Sequence, residues 1–237
     1  MRASMAEAAV ANGRSFIALP ALALLACCAF ATPARAQRCE DNTNPLLRAA
    51  LVRGDQRAVD SSVVTGLRRA TSYLCGYEPW KGTDPDSSDA WCEGARGTGV
   101  GEMLAWVDGV GGDGVALPRE IWVGYGKSES LFRANGRPRR VRVWAVGVEM
   151  LLDVCGDETC GPDSYERARS LGSIDVELRD VNGWQPLPVP QHRVTSDSNH
   201  EPNMLVGIEI LSVYPGARYT DTCVSGIRRA PNSAPRP

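Results

Sequence analysis

The chain has 237 residues, with 26 Lys and Arg against 28 Asp and Glu and a formal net charge of −2. That balance gives no electrostatic reason to seek nucleic acid, and the length suits one domain with extensions. Its two histidines, His192 and His200, lie in a polar stretch without metal-ligand spacing, which argues against a zinc site.

Residues 1–36 read as a signal peptide. Arg2 and Arg14 give a basic start, Phe16 to Ala31 is apolar but too short to span a membrane well, and Ala34-Arg35-Ala36 offers small residues for cleavage after Ala36. A second reading stands beside it. Leu24-Leu25-Ala26-Cys27 resembles a bacterial lipobox, and lipidation at Cys27 would hold the chain on a membrane. The expected location is therefore secreted, or in the periplasm or cell envelope. Residues 1–36 hold three arginines and one glutamate, so their removal leaves a more acidic chain.

Six cysteines follow: Cys39, Cys75, Cys92, Cys155, Cys160 and Cys223. An even number in an exported chain reads as disulfides. Cys155 and Cys160 flank a Gly-Asp-Glu-Thr turn that lets them approach, so they are expected to pair locally. The other four allow three pairings. Cys75–Cys92 is favoured because it would clamp an acidic loop, and Cys39–Cys223 because it would tie the leader to the last strand.

Residues 37–63 form a leader with a short helix. Asn44 suits the cap, Pro45 the first turn and Gly54 the end, while Leu46, Leu47, Ala50 and Leu51 make an apolar stripe. The helix is expected to pack on the following domain or lead into it.

The period then changes to two, the signature of half-buried strands. Strands are expected at Leu67–Leu74, Val100–Val107, Arg119–Tyr125 and Arg139–Val146, with a weaker one at Val148–Val154. Further strands follow at Ser173–Asp180, Met204–Tyr214 and Cys223–Arg229. Gln185–Val189 reads as an edge strand, because its prolines cannot donate to a ladder. Gly76–Ala90, Asp108–Gly114 and the polar stretch from Gly126 to Pro138 read as loops. Residues 230–237, proline-rich, form a disordered tail. This pattern makes an all-β domain over 64–229, a sandwich or a barrel, between which periodicity does not choose. Trp91, Trp106, Trp122 and Trp144 fall in or beside strands and are expected to pack in the core or between sheets.

Three motifs stand in order along that domain. Ala90-Trp91-Cys92-Glu93-Gly94 leads to Gly97 and Gly99-Val100-Gly101-Glu102. Gly124-Tyr125 and Lys127-Ser128 lead to Asn135 and Arg137-Pro138. Val213-Tyr214-Pro215-Gly216 and Tyr219 lead to Asp221-Thr222-Cys223-Val224-Ser225. Together they resemble the discoidin-like, galactose-binding-type domain that serves as a glycan-binding or translocation domain in bacterial NAD-glycohydrolase toxins. Two positions depart from the family pattern: Gly124 replaces the usual Asn, and Gly226 stands where an acidic residue usually follows Ser225. The resemblance implies a jelly-roll β-sandwich, and it implies binding rather than NAD cleavage, which those toxins keep in a separate domain.

The resemblance implies a glycan or cell-surface polysaccharide as partner. Stacking platforms and polar groups for a sugar are expected in loops, from Tyr77, Trp80, Tyr125, Lys127, Asn135 and Arg137. Asn135 and Arg137 have a second reading, as groups that hold the loop through backbone and carboxylate bonds. Asp84, Asp86 and Asp89 offer oxygens to a structural Ca²⁺, or else cap local N–H groups in an acidic turn. The sequence shows no catalytic constellation, and Glu177 and Glu209 read as exposed strand-face charges. Two functions follow: an exported, non-catalytic carbohydrate-binding module, or a structural or protein-interaction sandwich of the cell envelope without sugar affinity.

Overall fold

The computed structural model describes residues 44–60, 68–86, 88–110, 114–151, 165–195 and 200–231. The signal segment, Cys27, Cys39, the Cys155–Cys160 turn and most of the tail lie outside the described residues.

Helix α1, Leu46–Arg53, begins and ends as its sequence asks. The Leu47 N–H donates to Asn44 Oδ1 at 3.2 Å, and Gly54 turns left-handed at φ 63°, its N–H donating to the Ala50 carbonyl. Helix α2, Gln56–Asp60, follows at once. Leu47, Ala50 and Leu51 are fully buried, but Leu46, expected in the same stripe, is 45% exposed and Ala49 is buried in its stead.

Among the described residues, nine strands make two antiparallel sheets. They are β1 Arg68–Ala70, β2 Trp91–Cys92, β3 Met103–Gly109, β4 Arg119–Val123, β5 Arg137–Leu151, β6 Tyr165–Glu177, β7 Trp184–Leu187, β8 His200–Tyr214 and β9 Cys223–Arg229. One sheet runs β1-β3-β8-β5-β6 and the other β2-β9-β4-β7, with β7 at the edge, as its Pro186 requires. The fold is an all-β sandwich. Alternate residues of β3, β5 and β8, such as Leu104, Val143 and Ile208, meet Ile121, Val123 and Ile227 of the opposite sheet in one apolar core. Trp91 and Trp106 lie in that core. Trp122 does not: it faces outward beside Trp184, edge to face at 5.5 Å.

The sheet of five has a second buried face. Met103, Ala105, Val146, Val148 and Leu205 point away from the sandwich core and pack under Leu47, Leu51, Ala58 and Val59. Gly207 of β8 carries no side chain because Leu51 occupies that space; an added Cβ would collide with it. The leader helices are thus a third layer. This explains the nearly continuous apolar runs in β3 and β8, since a strand covered on both faces has no polar side to show.

Two elements differ from their sequence reading. β5 is one strand of 15 residues where the side chains suggest two. Gly147 interrupts the apolar pattern, yet its backbone keeps the ladder, facing Met204 on one side and Arg169 on the other. The stretch from Gly126 to Pro138 holds a helix, α3 Glu129–Ala134, capped by Ser128 Oγ, which accepts from the Leu131 N–H at 3.2 Å.

Candidate binding site

The three motifs converge at one end of the sandwich, around a disulfide. Cys92 of β2 and Cys223 of β9 face each other in register and are bonded, with Cα atoms 4.1 Å apart. This corrects both favoured long-range pairings: Cys92 is not joined to Cys75, nor Cys223 to Cys39. Strand pairing, which spacing along the chain does not reveal, brings Cys92 and Cys223 together. Cys75 is also in a disulfide, with a partner that is none of the described cysteines.

Each motif is fixed here by buried polar bonds. Glu93, fully buried, accepts from the Ala95 N–H at 2.7 Å and the Thr222 N–H at 3.2 Å, while its own N–H donates to the Thr222 carbonyl at 3.1 Å. Trp91 Nε1 donates to the Ser72 carbonyl, and the Ser72 hydroxyl accepts from Gly94 and donates to Glu102. Ser225 Oγ accepts from the Gly126 N–H at 2.6 Å and donates to the Gly124 carbonyl at 3.0 Å. Gly124 sits at φ 76°, where a Cβ would meet Arg137 and the Phe132 ring, so Asn would not fit without rearrangement.

Asn135 and Arg137 are part of this framework. Arg137, only 5% exposed, grips both Asp180 oxygens at 2.7 and 3.1 Å and donates to the carbonyls of Asn135 and Pro215. Asn135 Nδ2 donates to the Leu131 carbonyl at 2.8 Å. Both lock α3 in place, with their polar groups turned to the chain itself. Lys127, just before α3, is exposed and has no partner among the described residues.

The aromatic residues lie over the disulfide. Tyr77 and Tyr125 stack edge to face at 5.8 Å on a small cluster formed by Leu74, Ala90, Cys92 and Cys223. Burial raises both phenols above the ordinary tyrosine range, with Tyr125 and Tyr219 adding to the effect on Tyr77. Both therefore stay protonated, as hydroxyl donors, at neutral pH. Trp80 stands further out, 47% exposed, with Lys81 Nζ 5.4 Å from its ring. Lys81 in turn donates to the Gly76 carbonyl at 2.7 Å and pairs with Glu78 and Asp89. Tyr219, half-buried beneath the Arg218 guanidinium at 5.1 Å, belongs to the same end. The sequence offered it only as one letter of a motif, with nothing to separate a platform from a packing residue.

The acidic turn is held by its own backbone. Asp84 Oδ1 accepts from the Asp86 N–H and Asp86 Oδ1 from the Ser88 N–H, each at 2.9 Å. These bonds from Ser88 hold the Asp86 carboxyl below its usual range. Asp89 turns to Lys81 at 3.6 Å. The three carboxylates are not brought together, and no group of three His, Cys, Asp or Glu side chains converges among the described residues. Gly226 has a steric reason: an added Cβ would strike the Asp84 carbonyl, so a side chain there would lift this turn off β9. Glu209 is not the exposed charge its sequence suggested. It is buried, held by Arg48 at 2.9 Å and Trp144 Nε1 at 3.0 Å, because α1 covers that face.

Residues 61–229 match the family model of the NAD glycohydrolase translocation F5/8 type C domain. The chain belongs to this family. No curated protein matches it. Membership in the translocation F5/8 type C family fits a non-catalytic module, and together with the Cys92–Cys223 bond it fits an exported protein.

Proposed function

We propose that this F5/8 type C domain is a carbohydrate-binding module, exported through a signal peptide cut after Ala36, whose site is the aromatic end over the Cys92–Cys223 bond. The observation that supports it most is Trp80. It is a large ring, 47% exposed, on the segment that also carries Tyr77, which pairs edge to face with Tyr125 over the disulfide cluster. A pyranose has an apolar face for such a ring and hydroxyls for the tyrosine donors. Asn135 and Arg137 support the site from beneath; Lys127 is free to reach an acidic group on the glycan. Single-site binding is weak, because one stacked ring and a few exposed hydrogen bonds must offset the immobilisation of the ligand.

The test is a glycan array followed by titration of the best binder. Trp80→Ala abolishes binding while the melting temperature stays within about 1 °C, since surface changes shift stability by only about 0.5 kcal/mol. Tyr125→Ala loses binding and several degrees together, because that ring also packs on the disulfide cluster. If Trp80→Ala binds as wild type, or if no glycan binds at all, the reading fails. The chain is then a protein-interaction sandwich.

A further inference from the structure

Cys75 is bonded, and its partner is none of the described cysteines, since Cys92 and Cys223 hold each other. The candidates are Cys27, Cys28, Cys39, Cys155 and Cys160. The place of Cys75 in the fold separates them. Its neighbour Leu74 donates its N–H to the Cys92 carbonyl at 3.0 Å, and the Cys92 N–H donates to the Tyr77 carbonyl at 3.4 Å. Cys75 therefore lies at the disulfide end of the sandwich. There the Cys223 N–H donates to the Gly136 carbonyl at 3.1 Å, and β5 begins at the next residue.

Cys155 and Cys160 belong to the other end. β5 runs 15 residues from Arg137 to Leu151, and at roughly 3.3 Å per residue its ends stand about 45 Å apart. Tyr165, the first residue of β6, pairs with Met150 at that far end. Cys155 is four residues from Leu151 and Cys160 five from Tyr165, stretches that reach at most about 14 and 18 Å. Neither covers the length of the strand. Cys39 comes from the right side. The Asn44 N–H donates to the Thr71 carbonyl at 3.0 Å, so the chain entering α1 sits beside the segment that leads to Cys75. The five residues from Cys39 to Asn44 span at least as far as the four from Thr71 to Cys75.

We propose that Cys39 is bonded to Cys75, as a staple that ties the leader to the domain and brings the N-terminal segment out beside the aromatic end. Setting Cys27 and Cys28 aside rests on the cut after Ala36 proposed above. Of the three pairings open to Cys39, Cys75, Cys92 and Cys223, the Cys92–Cys223 bond leaves this one. The bond forms by exchange with a disulfide-bearing oxidant of the exported compartment. The two thiols give up two protons and two electrons, one S–S bond forms between them, and the oxidant's own S–S bond breaks to two thiols. The closed stretch 39–75 holds α1, α2 and β1. The helices that cover the outer face of the sheet of five are then fixed covalently before α1 as well as after α2. Cys75 stands two residues before Tyr77, so the staple also anchors the segment that carries Tyr77 and Trp80.

Peptide mapping of the exported wild-type chain without reduction tests this. Trypsin places Cys39 in peptide 39–48, Cys75 in 70–81, Cys92 in 82–96, Cys155 and Cys160 together in 143–167, and Cys223 in 219–228. Peptide 70–81 is expected joined to 39–48 and freed from it by reduction. Its recovery joined to 143–167, joined to a peptide holding Cys27 or Cys28, or alone with a free thiol overturns the proposal. The mass of the intact chain reports the cut after Ala36 separately: an uncut chain in which 39–48 is joined to 70–81 sinks the signal reading and leaves the staple standing. In Cys39→Ser/Cys75→Ser, amide exchange across α1 is expected to rise about tenfold or more, with the middle of the β5–β8 ladder unchanged. Equal α1 exchange in the two proteins shows that the bond does not hold the leader, and the staple's role falls.

Discussion

The Arg137 guanidinium spends its donors on both oxygens of Asp180 and on the carbonyls of Asn135 and Pro215, all within 3.2 Å. Removing it takes the donor from the Asn135 and Pro215 carbonyls and leaves Asp180 with the longer Arg133 pair at 3.5 Å. Arg137→Ala therefore costs about 3 kcal/mol, read as a lower urea midpoint at unchanged slope. Arg137→Lys recovers only part of this, because an ammonium cannot make the paired bond to Asp180. The sequence placed Arg137 and Asn135 in a motif, and a motif marks positions without saying which way a side chain turns. Both readings of Arg137, ligand-facing and loop-holding, use the same letter. Glu93 was equally visible, an acid set between Trp91-Cys92 and Gly94. Its burial was not, since that depends on Thr222 arriving from the other end of the chain.

At the scale of elements, period two found most of the strands, because each core strand has one face that must be apolar. Cys223–Arg229 matches its expected bounds, while β5 and β6 run longer than the side chains suggested. Helix α3 escaped notice for a physical reason: six residues show less than two turns of a 3.6-residue period, and its flanks are Gly, Ser and Asn. The first leader helix was expected and α2 was not, and the face they cover together was underestimated. They cover the outer face of the sheet of five, and the family match begins at residue 61, after both. A chain cut down to residues 61–229 should therefore expose Met103, Val146, Val148 and Leu205 and elute from gel filtration as aggregate rather than monomer. Leu51→Ala in the full chain is the graded version, expected to cost about 3 kcal/mol by cavity formation beside Gly207. Recovery of a stable, monodisperse 61–229 fragment would show that the helices are dispensable.

For the whole molecule the decisive covalent link is Cys92–Cys223, with a sequence separation of 131. Closing so long a loop stabilises by about 5 kcal/mol on the chain-entropy account. The double variant Cys92→Ala/Cys223→Ala should lose most of that in chemical denaturation, and a loss under about 1 kcal/mol would refute the account. No count of cysteines could single out this pair, since the choice is made by which strands lie side by side. The bond also sets a path for force. Tension applied at the two ends of the chain passes across the sulfur atoms and never enters the stretch between them. The ladders among β3 through β8 lie inside that stretch and carry no load. Pulled through a narrow opening, this chain would arrive as an unbreakable ring several strands wide, and would pass as a single thread only after the sulfurs had been reduced.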